Sequence, residues 1–102
     1  MNDCKILRRD MLRGPIIVRE AGDLDFDGAK RIADRKAREF SHDAMLLSWF
    51  DKKAGKFSPD VICCDTEKPT WLVYAESRGG SISVDINNED YVFVYRPGSR
   101  EV

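Results

Sequence analysis

The stretch from Thr70 to Arg96, TWLVYAESRGGSISVDINNEDYVFVYR, decides how this chain is read. Taken as extended chain it breaks at two turn signals. One is Gly79-Gly80, a composition suited to the primed turns of two-residue hairpins; the other is Asn87-Asn88-Glu89-Asp90. With the glycines at a hairpin tip, Ser77 opposes Ile82, Ala75 opposes Val84 and Val73 opposes Ile86, all on one face with Trp71. Carried through the second turn, the register sets Ile86 against Tyr91, Val84 against Phe93 and Ile82 against Tyr95. That face stays apolar across three strands, and a one-residue slip would turn one strand's apolar set outward. The stretch predicts a three-stranded antiparallel meander with Trp71, Tyr91, Phe93 and Tyr95 in the core.

Upstream, Phe26 to Phe40 carries a helical pattern. Phe26, Ala29, Ile32, Ala33, Ala37 and Phe40 project onto an arc of about 140° at 100° per residue, with Arg31, Asp34, Arg35 and Arg38 opposite. Asp25 or Asp27 is placed to cap its first amides and suits the helix dipole. Ile16 to Arg19 reads as a short β-branched strand entered from Gly14-Pro15. Ala44 to Asp51, AMLLSWFD, is apolar on both alternating faces, as a strand near the middle of a sheet would be. Lys52 to Lys56 is a turn with Gly55 where positive φ is wanted. Phe57 to Lys68 reads as a loop, with room for a short strand at Val61 to Cys63, and Cys4 to Arg13 fits a helix or a strand.

These pieces predict one α+β domain spanning residues 1–102. It is two-layered, with one main helix packed on a mostly antiparallel sheet of four to five strands, in the order β-α-β-β-β-β or close to it. The length is near the common domain size. Two Trp, three Tyr and five Phe supply apolar surface to offset chain entropy. The face of the meander away from the helix carries Leu72, Tyr74, Glu76, Ser83, Asp85, Val92 and Val94. Its apolar part, around Leu72, Tyr74, Val92 and Val94, is a candidate interface with a partner or a second subunit.

Charge narrows the partners. At 34% charged residues and a net charge of −1 there is no global basic field to hold a polyanion. No apolar run approaches the roughly 20 residues that span a bilayer. The opening MNDCKILRRDMLRG has no signal-peptide apolar region. With three cysteines and no export signal, the expected setting is cytoplasmic and a disulfide framework is not expected.

Five polar clusters stand out. Asp23-x-Asp25-x-Asp27-Gly28 resembles the opening of an EF-hand calcium loop, since carboxylates at alternate positions converge on a hard cation. Lys30 stands where that loop wants an aliphatic residue and Asp34 stands at the twelfth position, so a capped helix N-terminus is the better reading. Cys63-Cys64 with Asp65, Cys4 and His42 holds zinc-ligand types, but adjacent cysteines on an extended segment point to opposite sides. His42 and Asp43 supply a base for Cys63 or Cys64, which defines a candidate ligand or thiol site. Arg78-Gly79-Gly80 offers a guanidinium and amides to an anion. Lys5, Arg8, Arg9 and Arg13 form the densest basic cluster, with Lys52, Lys53 and Lys56 next.

No cofactor fingerprint is present, and none of these clusters amounts to a catalytic set. The sequence points to a small non-enzymatic binding or regulatory module, a possible homodimer through a sheet face or edge. The alternatives are a small-molecule binder or enzyme with a pocket near His42, Cys63 and Cys64, and a weak nucleic-acid binder through the N-terminal arginines.

Overall fold

Asp25 starts the first helix. Its backbone is extended, and its side-chain Oδ1 accepts the Gly28 amide at 2.8 Å, satisfying one of the four donors that every helix start leaves over. The helix α1 then runs Phe26–Phe40. Ala29, Ala33 and Ala37, at i, i+4 and i+8, are completely buried. Their small side chains let the helix backbone sit close to a sheet. The larger Phe26 and Ile32 pack at the margins of the same cluster.

The computed structural model describes residues 12, 14–20, 22–58 and 69–98. Around α1 lie β1 (Ile16–Val18), β2 (Met45–Asp51), β3 (Lys56–Ser58), β4 (Ile82–Ile86) and β5 (Tyr91–Arg96), with a second helix, α2 (Thr70–Ser77), between β3 and β4. The five strands form one sheet in the order β1-β4-β5-β2-β3. Every pairing is antiparallel except β1 with β4, which is parallel. The architecture is α+β, with one main helix on a five-stranded, mostly antiparallel sheet. The second helix adds a layer on the opposite face.

The hairpin of β4 and β5 has the register read from the sequence: Ile82 opposite Tyr95, Val84 opposite Phe93 and Ile86 opposite Tyr91. These six, with Val18 and the α1 alanines, form one core. The intervening turn takes three successive residues into left-handed geometry, Asn87, Asn88 and Glu89. Asparagine tolerates that region better than most residues. The Glu89 amide donates to the Asp85 carboxylate at 2.6 Å, which holds the tightest part of the turn. Asn87 also copies a strand residue. Its side chain accepts from the Glu20 amide and donates to the Glu20 carbonyl, extending the β1–β4 pairing by one step.

The third strand of the expected meander is a helix. Thr70–Ser77 is α2, and its buried residues Trp71, Leu72 and Ala75 follow helical rather than alternating spacing. Both periods fit this segment because its five apolar residues, Trp71 to Ala75, run without a break. Leu72, Ala75 and Glu76 are good helix formers, and tertiary packing settles the choice. The Gly79-Gly80 pair is accordingly not a hairpin tip. Gly79, at φ +86°, follows the C-cap Arg78. Its amide donates to Glu76 O at 3.2 Å, while that of Gly80 donates to Ala75 O at 2.8 Å. This is the Schellman pattern that ends helices at glycine. A Cβ on Gly80 would lie 2.8 Å from the Ala75 carbonyl oxygen and 2.9 Å from Val94 Cγ1, so the second glycine is required by close approach.

α2 covers the sheet face opposite α1. Trp71, Leu72 and Ala75 join Leu12, Val92 and Val94 in a second core, flanked by Leu47, Phe50 and Phe57. The Trp71 and Phe50 rings stack at 5.5 Å with an interplanar angle of 4°. The two-layer expectation is therefore corrected to helices on both faces, in the order β-α-β-β-α-β-β. A bulge in β2 serves both cores. Leu46 pairs with Tyr95 and Ser48 with Val94, so Leu47 is an extra residue. It shifts the alternation, and Leu46 and Trp49 both reach the α1 core while Leu47 and Phe50 reach the α2 core. The short strand anticipated at Val61 to Cys63, and the segment Cys4 to Met11, lie outside the described residues.

Candidate functional site

Covering both sheet faces removes the interface anticipated from the sequence. Leu72, Val92 and Val94 are at most 1% exposed and belong to the second core. Tyr74 is half-buried on α2, with the Arg78 guanidinium 3.9 Å from its ring centre. They do not form an open surface, because α2 supplies the apolar cover that a partner was expected to supply.

The candidate anion site is corrected in the same way. The Gly79 and Gly80 amides are spent inside the Schellman cap, and Arg78 donates to Ser77 Oγ at 3.0 Å while it stacks on Tyr74. The adjoining cleft, about 220 Å³, is lined by Glu76, Gly79, Gly80 and Ser81, so a carboxylate faces the space an anion would need.

Asp23 and Asp27 are exposed, and Asp25 is committed to its cap. Among the described residues no three His, Cys, Asp or Glu side chains are grouped so as to hold a metal ion. The acidic run leads into the start of α1, with Asp25 as its cap.

His42 and Asp43 lie in the turn between α1 and β2, with His42 Nδ1 3.2 Å from Asp43 Oδ1. Both side chains are solvent-exposed, at 98% and 77%. On the inner side of this turn, Gly98 packs against Asp43 and donates its amide to Ser41 Oγ at 2.8 Å. Cys63, Cys64 and the N-terminal arginines lie outside the described residues.

Two buried tyrosines tie the helix side of the sheet together. Tyr95 Oη donates to Asp34 Oδ1 at 2.5 Å, and Lys30 Nζ holds the other carboxylate oxygen at 3.0 Å. Tyr91 Oη donates to the Leu24 carbonyl at 2.9 Å. Burial pushes the Tyr95 hydroxyl well above its ordinary range; the Asp34 bond and charge add to this and Arg38 partly opposes it. Burial, then Asp51, Asp25 and Asp90, push Tyr91 up as well. In this fold both hydroxyls serve as hydrogen-bond donors.

The sign of the resulting pH dependence follows directly. The unfolded chain loses tyrosine protons from about pH 10 while the folded chain keeps them, so stability is fully present below that value and falls above it. For Tyr95, whose shift is the large one, the slope approaches about 1.4 kcal/mol per pH unit. Tyr95→Phe should therefore be less stable at neutral pH, through the lost Asp34 bond, yet show a shallower decline from about pH 10 upward. Urea midpoints measured across that range check this, and equal slopes in both proteins would contradict it.

Among the described residues, two surfaces bear on function. One is the outer edge of β1, where Ile17 is 45% exposed. The other is the outer face of α1, with Arg31, Arg35 and Arg38 exposed. The sequence contained both, as the short run Ile16-Ile17-Val18 after Pro15 and as the charged side of the helix. Nothing local distinguishes an edge strand from an inner one in three residues. A cleft of about 330 Å³ lined by Trp49, Gly55, Lys56 and Phe57 lies where β3 meets β2. Among the described residues no helix is long and apolar enough to cross a membrane.

Residues 16–95, from the first residue of β1 to Tyr95, match the family model of DUF5619, a domain of unknown function. The chain belongs to the DUF5619 family. It is 37% identical over 71 residues to a protein of Archaeoglobus fulgidus described as uncharacterized, a match covering 70% of this chain and 75% of that one. The crystal structure of a novel protein from Archaeoglobus fulgidus DSM 4304 superposes with a TM-score of 0.72 at 30% identity, covering 85% of this chain and 96% of the other. The DUF5619 match thus takes in all five strands and both helices. The descriptions of these relatives carry no activity.

Proposed function

We propose that this chain is a non-enzymatic binding module that pairs with a second copy of itself through the open edge of β1. The observation that carries the reading is the direction of the β1 backbone. Val18 O accepts from the Asn87 amide, and the Glu20 amide and carbonyl both bond the Asn87 side chain. In an extended strand the N–H and C=O of one residue point the same way, and successive residues alternate. Val18 and Glu20 face β4, so Pro15, Ile17 and Arg19 turn their backbone groups away from the sheet.

A two-fold axis through Ile17 sets two β1 strands antiparallel. Ile17 then exchanges two hydrogen bonds with its copy, and each Arg19 amide donates to the other chain's Pro15 carbonyl. Proline has no N–H to donate, so the ladder stops there. The arrangement is isologous and closes on itself, as a homodimer requires. The two Ile17 side chains meet across the axis, which explains an exposed isoleucine on an edge. So short a ladder belongs to the weak, transient class of interfaces.

Sedimentation equilibrium tests the proposal. The expected result is a reversible dimer at high protein concentration that Ile17→Lys abolishes without loss of fold. A strictly monomeric protein, or a dimer indifferent to Ile17→Lys, would count against it.

A further inference from the structure

Among the described residues, the outer face of α1 carries three guanidiniums that make no ion pair. Arg31, Arg35 and Arg38, at i, i+4 and i+7, fall within about 60° of one another at 100° per residue and are all exposed. They make a cationic stripe about 10 Å long. The nearby carboxylate of Asp34 is already engaged, one oxygen by Tyr95 and the other by Lys30. Among the described residues no carboxylate forms an ion pair with any of the three guanidiniums. Asp27 and Glu39 stand just beyond the two ends of the stripe on the same helix.

We infer that this stripe is a docking surface for an acidic helical segment of a partner protein. A second α-helix repeats at the same rise, so carboxylates at i, i+4 and i+7 on it match the arginines one to one. The guanidinium fork favours paired bonds with a carboxylate. Asp27 and Glu39 repel acids beyond the stripe and limit the docked segment to about two turns. Nucleic acid fits less well. Its affinity is built from many phosphate contacts, whereas this surface offers three arginines on a chain of net charge −1.

The full chain should be titrated, with backbone amides followed by NMR, against two probes. One is a helical peptide of roughly 16 residues with Glu at i, i+4 and i+7 in an Ala/Gln background; the other is an oligothymidylate of similar charge. The expected result is peptide binding with shifts confined to the outer face of α1. It should weaken about tenfold in the triple variant Arg31→Gln, Arg35→Gln, Arg38→Gln, the sum of three exposed pairs, and fall with added salt. The single variant Arg35→Gln, which asks less of the fold, should weaken it about twofold. Failure of the peptide to bind, shifts elsewhere, affinity unchanged in both variants, or tighter binding of the oligothymidylate would each overturn the inference.

Discussion

Replacing Trp71 with alanine is expected to lower the unfolding free energy by about 3–5 kcal/mol, the range for truncating a buried large aromatic. Trp71 is 2% exposed and sits at the centre of the second core, stacked on Phe50 and packed with Val92 and Val94. Its removal leaves a cavity between α2 and the sheet that the eight-residue helix cannot close by itself. Domains of this size hold only about 5–15 kcal/mol in reserve. Urea unfolding followed by circular dichroism measures the loss as a lowered midpoint. A change below about 1 kcal/mol, typical of surface substitutions, would mean that α2 is not a packed layer.

Phe93→Ala is the matching experiment on the other face, and the same loss of about 3–5 kcal/mol is expected. Phe93 is fully buried on the central strand β5, with the Phe26 ring of α1 5.5 Å away. Because Trp71 and Phe93 belong to separate cores on opposite faces of the sheet, their effects should add to within about 0.5 kcal/mol. Strong coupling between them would contradict two separate cores divided by the sheet. Both values come from the same denaturation series, so the comparison controls for the method.

The two faces were not equally legible in the sequence. On the α1 side, period 3.6 in the helix and period 2 in β4 and β5 point to one core, and each local choice agrees with its neighbours. Ile82, Val84 and Ile86 could be paired with Tyr95, Phe93 and Tyr91 from the sequence because a one-residue slip would move one strand's apolar set to the other face. On the α2 side the signal is degenerate. TWLVYAES is apolar enough to satisfy both periods, and a glycine pair serves a hairpin tip as readily as a Schellman cap. The deciding facts, that Gly80 touches Val94 and Trp71 touches Phe50, involve residues distant in sequence. The parallel pairing of β1 with β4 is also non-local, since it joins Ile16 to Val84 across most of the chain.

The candidate sites followed the same division. An aspartate cap at Asp25 or Asp27 was readable locally, because capping is local chemistry, and the fold takes Asp25. The interface assigned to Leu72, Val92 and Val94 failed because it rested on the missing helix. With both faces covered, attention moves from the faces of the sheet to its β1 edge.

Hydrogen exchange at the Ile17 amide tests the proposed self-pairing most directly. The Asn87 amide, bonded to Val18 O within one chain, is an internal reference and should be protected at every concentration. The Ile17 amide points off the sheet and should exchange freely in dilute protein. It should then gain protection as concentration rises from about 10 µM to 1 mM, following mass action. An Ile17 amide that exchanges at the same unprotected rate across that range would contradict pairing through β1.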